Sequence, residues 1–212
     1  MIATVINKLV DICRNDVIND RTKFNRIKKI YCHIDEISRH SYDDLVAACE
    51  SCSVKIVRFI AKQKTLVSCD NLRHVFQVII TKDRLDCFTI VSSKTDEDFV
   101  KSLWPEVRNS NAIKITTRYL RDYVEPLIND FESASNPAIK KLIAWRSHIY
   151  TSKNDIDKVV NYLGYVPEAV FESVSRLGTE YNNSKRICSI CYCYTRDGTT
   201  FNRINVCKDC KI

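Results

Sequence analysis

Two pairs of cysteines constrain the fold of this chain more than any other feature of its sequence. Cys188 and Cys191 form one CxxC pair, and Cys207 and Cys210 form a second pair after fifteen intervening residues. Four thiolates at this spacing fit a tetrahedral Zn²⁺ ion, with each sulfur at about 2.3 Å from the metal. We therefore predict one structural zinc ion held by these four cysteines. Ordinary free thiols or half of a disulfide framework are the alternatives.

The segment between the cysteine pairs predicts a β-hairpin, which would bring the two pairs together as in a zinc ribbon. It contains the dipeptide Asp197-Gly198, which is typical of a tight hairpin turn. Cys193 could replace Cys191 only in a longer Cys-x₄-Cys pair with Cys188, so we assign it to a strand. The residues suited to strands on either side of the dipeptide are Tyr192, Tyr194, Thr199, Phe201, Ile204 and Val206.

Glycine is scarce in this chain, and its scarcity argues against several kinds of enzyme. The three glycines lie at positions 164, 178 and 198, so neither a glycine-rich nucleotide loop nor a G-x-S-x-G nucleophile elbow is present. Cys32 and His33 are poorly placed to act as a nucleophile and its general base, because adjacent residues on a helix point about 100° apart. A zinc ion with four cysteine ligands has no open position for catalysis. We expect a non-enzymatic protein without a nucleotide cofactor.

The cysteine content predicts an intracellular protein. The chain has eleven cysteines, and its first residues, charged at Lys8, Asp11 and Arg14, do not resemble a signal peptide. The sequence has no apolar run long enough to predict a transmembrane helix, so we expect no membrane partner. In a reducing compartment we expect six cysteines to be buried as small apolar residues, namely Cys13, Cys32, Cys49, Cys52, Cys69 and Cys87.

Apolar residues recur at helical spacing along most of the chain. We predict a mainly α-helical body at residues 1–178, followed by a zinc module at residues 179–212 whose first residues form a polar linker. Asn136 and Pro137 are typical of a helix start, whereas Gly164 and Gly178 are typical of helix ends. The predicted helices cover residues 2–13, 20–38, 112–125, 137–149, 156–163 and 167–177.

A short motif recurs at intervals of 27 residues within the helical body. Each copy places a candidate N-cap hydroxyl four residues before an apolar residue. A period of this size predicts stacked helical hairpins, which resemble degenerate ankyrin repeats. A non-repetitive helical bundle is the alternative. The three pairs of hydroxyl and apolar residue are Ser41 with Leu45, Ser68 with Leu72, and Thr95 with Phe99.

Basic residues suggest a second kind of partner. The net charge of the chain is +7, which favours nucleic acid or an acidic protein. A basic stretch at Arg21, Lys23, Arg26, Lys28 and Lys29 is interpreted as a solvated helix face. The candidate nucleic-acid contacts in the zinc module are Lys185, Arg186, Arg196, Arg203 and Lys208, which could instead serve solubility alone.

The composition and the final segment carry a resemblance to a known family. A body rich in Ile, Lys, Asn, Asp and Tyr that closes on RICSICYCYTRDGTTFNRINVCKDCKI looks like a protein of a large DNA virus. It resembles the small alphabaculovirus proteins with a C-terminal zinc finger. This resemblance implies an accessory protein that promotes late viral gene expression through host or viral proteins, in the nucleus and cytoplasm of the host cell. A direct nucleic-acid-binding transcription or replication factor is the alternative.

Overall fold

The computed structural model describes residues 2–33, 41–170, 199–201 and 204–206. Within these residues the protein is mainly helical, which confirms the predicted fold class. The helices are α1 Ile2–Arg14, α2 Asp20–Tyr31, α3 Asp43–Ser51, α4 Val54–Lys62, α5 Asp70–Thr81, α6 Leu85–Ser92, α7 Glu97–Ser102, α8 Trp104–Arg108, α9 Ile113–Asp122, α10 Ile128–Ser133, α11 Pro137–Ala144 and α12 Lys153–Leu163. A 3₁₀ turn at Ser147–Ile149 follows α11, and the strands are β1 Thr199–Phe201 and β2 Ile204–Val206.

The chain divides into two compact units. An N-terminal unit comprises Met1–Val124, and a C-terminal unit comprises Glu125–Ile212. This division falls inside the segment 1–178 that the sequence predicts as one helical body. The predicted boundary at 178 and residues 171–177 of the helix predicted at 167–177 lie outside the described residues.

The N-terminal unit is a stack of four helical hairpins. Helices α1 and α2, α3 and α4, α5 and α6, and α8 and α9 pack as pairs. The first helices contact one another in the order α1, α3, α5 and α8, and the second helices do so in the order α4, α6 and α9. Helix α2 joins this second row through the rings of Phe24 and Phe59, whose centroids are 5.4 Å apart. Each hairpin therefore buries its apolar faces mainly against its neighbours.

The helix starts follow the 27-residue interval of the sequence motif. Helices α3, α5 and α7 begin at Asp43, Asp70 and Glu97. The predicted cap residues are wrong by one position, because the N-caps are Tyr42, Cys69 and Asp96 rather than Ser41, Ser68 and Thr95. At the third start the Asp96 carboxylate accepts from the Phe99 amide at 3.1 Å, while the Thr95 hydroxyl donates to the preceding helix. A carboxylate one residue later thus takes the capping role.

Aromatic side chains form the core of the later hairpins. The rings of Phe88 and Tyr119 are 5.3 Å apart, and Phe76 and Trp104 pack on them from α5 and α8. The buried Tyr119 hydroxyl donates to the Val100 carbonyl at 2.6 Å, so α9 is also tied to α7. Burial raises the pKa of Tyr119 well above its ordinary value.

Two helix ends differ from the sequence prediction. Helix α2 ends at Tyr31 rather than near residue 38. At this end the His33 amide donates to the Ile30 carbonyl and tightens the last turn. Helix α11 ends at Ala144 rather than at Ile149, because the buried Tyr150 hydroxyl donates to the Ala144 carbonyl and replaces a further helical turn.

Three other helix ends follow the sequence signals. The Asn136 side chain accepts from the Ala138 amide at 2.8 Å and caps α11, whose first residue is Pro137. Gly164 ends α12 with a φ of +77°, a left-handed conformation that glycine adopts without strain. Helix α9 ends at Asp122, before Pro126.

The C-terminal unit contains a smaller cluster in its described part. The ring of Phe131 in α10 lies 5.4 Å from that of Tyr162 in α12, and the Lys140 ammonium lies 5.0 Å from the Tyr162 ring centroid. Lys158 pairs with Glu132 at 2.7 Å. These contacts hold α10, α11 and α12 together.

A buried ion pair lies within the second hairpin, and a hydrogen bond from Tyr31 of α2 ties it to the first. The Lys64 ammonium lies 2.8 Å from the Asp44 carboxylate, and each side chain is only 1 % exposed. Lys64 also donates to the Ser41 carbonyl, and the Tyr31 hydroxyl donates to the second oxygen of Asp44. Removing two charges from water costs several kcal/mol per ion, so such a pair is tolerated only when its partners satisfy it fully.

We expect Lys64→Met to lower the free energy of unfolding by about 3 kcal/mol, because it leaves the buried Asp44 carboxylate without its cation. The double variant Asp44→Asn, Lys64→Met should be more stable than this single variant, since it removes both charges. Urea denaturation measures both effects. Lys62→Met, at an exposed position of α4, is the control and should change stability by less than about 0.5 kcal/mol. Equal losses for Lys62 and Lys64 would contradict the role of the pair.

Candidate functional site

The predicted zinc ligands cannot be placed from the described residues. Cys188, Cys191, Cys207 and Cys210 all lie outside them, as does Cys193. The basic residues assigned to nucleic-acid contact lie outside them as well, namely Lys185, Arg186, Arg196, Arg203 and Lys208. Within the described residues, no group of three or more His, Cys, Asp or Glu side chains could hold a metal ion.

A two-stranded antiparallel sheet lies between the two cysteine pairs. Strands β1 and β2 pair with Thr199 opposite Val206 and Phe201 opposite Ile204, so only residues 202 and 203 connect them. The predicted turn at Asp197-Gly198 lies outside the described residues, and the connection of this sheet falls at residues 202 and 203 instead. The observed register puts Thr, Phe, Ile and Val in the ladder, which are residues with high β propensity. It also ends β2 directly before Cys207.

Four of the six cysteines in the N-terminal unit pack inside the protein. Cys13, Cys49, Cys52 and Cys87 are buried as predicted, whereas Cys32 and Cys69 are exposed. The two exposed residues lie at helix ends, as the C-cap of α2 and the N-cap of α5. The Cys32-His33 pair thus lies at the end of α2.

The buried thiols form two contacts between layers of the stack. The Cys52 thiol donates to the Cys13 carbonyl of α1 at 3.6 Å, and the Cys49 thiol of α3 lies near the Cys87 thiol of α6. The neighbouring thiols, together with burial, raise the pKa of Cys13 and of Cys49, so both thiols stay protonated at neutral pH. We assign them a structural role.

Lys23 is not part of the solvated helix face that the sequence predicts for the basic residues of α2. Its side chain is buried, and its ammonium donates to the Cys13 carbonyl at 2.8 Å in the last turn of α1. Carbonyls at a helix C-terminus lack intrahelical partners and favour a cation. Lys23 therefore caps α1, while the other four basic residues of the stretch are exposed, as expected.

Two adjacent residues in the α5–α6 connection tie three hairpins together. The Asp83 carboxylate accepts from the amides of Lys114 and Ile115, at 3.2 and 3.1 Å, in the first turn of α9. The Arg84 guanidinium donates to the carbonyls of Cys49 and Cys52, at 3.0 and 2.9 Å, at the end of α3. We call this pair the 83–84 clasp. It supplies an N-cap to the following hairpin and a C-cap to the preceding one.

Sequence reasoning missed the clasp because both contacts span more than thirty residues. Asp83 has a φ of +47° and is the one non-glycine residue with positive φ in the described part of the chain. Asp tolerates this conformation better than most residues. The indirect signal in the sequence was Ala112, which occupies the N-cap of α9 but has no side-chain oxygen for that role.

A cavity of about 720 Å³ lies beside the clasp, on the edge of the stack where the hairpin loops meet. Exposed basic side chains reach it from α4, from the α5–α6 connection and from α9, namely Arg58, Lys82 and Lys114. Half-buried apolar side chains also line it, namely Val54, Leu85 and Ile90. The surface combines positive charge with an apolar lining, so it is suited to binding a ligand.

A second cavity of about 390 Å³ lies on the other side of α4. Arg21 and Phe24 of α2 line it together with Lys55 and Ile56 of α4. The Lys55 ammonium lies 4.6 Å from the Phe24 ring centroid, a cation–π contact. Both cavities border the first turn of α4. We call the two cavities together the loop-edge groove.

We expect Asp83→Ala to lower the free energy of unfolding by about 2 kcal/mol, because it removes the cap of α9 and leaves a strained φ. Asp83→Asn keeps an oxygen acceptor and tolerates positive φ, so its loss should stay below about 1 kcal/mol. Thermal and urea unfolding test this order. Asp16→Ala, an exposed change in the α1–α2 connection, is the control. A loss for the Asn variant as large as that for Ala would refute the capping role.

Comparison with family models, with curated proteins and with solved structures finds no match to this chain. The helices in the described residues include none that is both long and apolar enough to cross a membrane. A functional assignment therefore has to rest on the hairpin stack, the loop-edge groove and the cysteine spacing.

Proposed function

We propose that this chain is a non-enzymatic regulatory protein that promotes late gene expression in virus-infected cells through contacts with host or viral proteins. The stack of four helical hairpins carries this proposal, because stacked hairpins present extended surfaces that bind other proteins. The viral setting and the location in nucleus and cytoplasm rest on the resemblance of sequence and composition described above.

We interpret the stack as ankyrin-like rather than as a compact bundle. The contacts run from each hairpin to the next along both rows of helices, as expected for a linear array. The recurring starts at Asp43, Asp70 and Glu97 support the same interpretation. The short helices and the missing glycines make it a degenerate version.

The proposed zinc module adds a second docking element. Its four cysteines would hold one structural zinc ion, and the short strand pair between them supports a ribbon or hairpin arrangement. Bound zinc would supply folding energy rather than chemistry, because four thiolates leave no position for a water molecule. Its role in this proposal is to stabilise a surface for partner binding.

We expect purified protein to contain one zinc ion per chain when it is prepared under reducing conditions without chelator. Cys207→Ser should lose the metal, whereas Cys193→Ser should retain it, because we place Cys193 on a strand. Elemental analysis of the three proteins measures the ratio. Metal-free wild-type protein would refute the site, and loss of zinc in the Cys193 variant would reassign the ligands.

We expect the double variant Cys207→Ser, Cys210→Ser to abolish the regulatory activity while the N-terminal unit stays folded. The assay deletes the gene from the virus that encodes it, restores each variant and measures late transcripts in infected cells. Cys193→Ser is the matched control and should restore them. Full activity of the double variant would contradict the docking role of the module.

The direct nucleic-acid-binding alternative makes a different prediction. It requires that the wild-type protein binds DNA or RNA with an affinity that falls steeply as the salt concentration rises, because phosphate contacts release counterions. The net charge of +7 is the observation in its favour. Binding to a 30-mer duplex measured at two salt concentrations separates the two functions.

A further inference from the structure

We propose that the loop-edge groove binds an acidic segment of a partner protein that also carries apolar side chains. This inference rests on the proposed function as a protein-binding regulator, and it names the chemistry of the partner. The charge of the groove, its apolar lining and its length along the stack favour such a ligand.

The charge around the larger cavity favours an anion. Arg58, Lys82 and Lys114 reach it from three separate elements, and none has a carboxylate partner within residues 2–33 and 41–170. The two carboxylates of the lining are already engaged. Asp83 caps α9, and Asp86 lies 3.5 Å from Arg84. An acidic ligand would therefore meet three available cations.

The apolar lining favours a peptide over a nucleic acid. Val54, Leu85 and Ile90 are half-buried and would cover an apolar side chain that entered between the cations. Single-stranded nucleic acids are usually held by aromatic side chains that stack on bases. The ten lining residues of this cavity include no aromatic ring, and the Phe24 ring of the smaller cavity is covered by the Lys55 ammonium.

The length of the groove sets the length of the segment. The smaller cavity lies on the other side of α4, where Arg21 and Lys55 add two more cations and Asp20 adds one carboxylate. Packed helices lie about 8–10 Å apart, so the path from α2 over α4 to α6 is about 20 Å. An extended chain advances about 3.3 Å per residue, so about six residues span this path.

The test uses the full-length protein and a fluorescent eight-residue peptide of glutamate with two leucines. We expect saturable binding by fluorescence anisotropy. The triple charge reversal Arg58→Glu, Lys82→Glu, Lys114→Glu should weaken it at least tenfold. The matched control Arg26→Glu, Lys28→Glu, Lys29→Glu changes the net charge equally on exposed positions of α2 outside both cavities, and should stay within twofold of wild type. Circular dichroism confirms that both variants are folded.

Two comparison probes identify what the groove recognises. A peptide of the same length without leucine should bind more weakly, and a peptide with lysine in place of glutamate should not bind. Equal losses in the two triple variants, or binding of the lysine peptide, would overturn the inference. The groove would instead be a nucleic-acid site if an eight-nucleotide single strand bound more tightly than the acidic peptide and the charge reversal at Arg58, Lys82 and Lys114 abolished that binding. This result would overturn the inference. The first two failures leave the proposed function standing, because the zinc-module variants test it independently, whereas nucleic-acid binding would favour the alternative function.

Discussion

The 83–84 clasp is the interaction on which the hairpin stack depends most. Helices of eight to ten residues are marginal in isolation, because nucleation is costly and few hydrogen bonds repay it. Helices α3, α6 and α9 are all of this length. Asp83 and Arg84 supply the missing partners at the ends of α3 and α9 from a loop that belongs to the hairpin between them. Lys23 caps the end of α1 from α2 of the same hairpin. The stabilities of the second, third and fourth hairpins are thus linked to one another.

The buried pair of Lys64 and Asp44 adds specificity rather than net stability. A well-packed apolar pair of similar volume could hold α3 and the end of the second hairpin equally well. An ion pair with two further hydrogen bonds, from Tyr31 and to the Ser41 carbonyl, requires one particular arrangement of three segments. Any shift of α2 along α3 would take the Tyr31 hydroxyl away from the buried Asp44 carboxylate. We infer that this hydrogen bond to the pair fixes the register between the first and second hairpins.

The sequence predicted those features that arise from local chemistry. The helical class, the caps at Asn136 and Gly164 and the 27-residue interval all depend on residues within one turn of each other. Contacts distant in sequence were missed, since no local signal reveals that Lys23 is buried, that Asp83 caps another hairpin or that Tyr150 ends α11. The candidate sites divide in the same way. The cysteine spacing is legible in the sequence, whereas the loop-edge groove exists only because the stack brings α4, the α5–α6 connection and α9 together.

The clasp also bears on how such a chain can evolve. Repeat arrays usually grow and shrink by duplication or loss of whole units, because each unit presents the same faces to the next. Here the third hairpin carries residues that complete its neighbours on both sides, and those neighbours lack equivalent groups of their own. Deleting that hairpin would leave the end of α3 and the start of α9 without these partners. Loss of this unit is therefore disfavoured by chemistry, and substitution on its surface is the less costly route of variation.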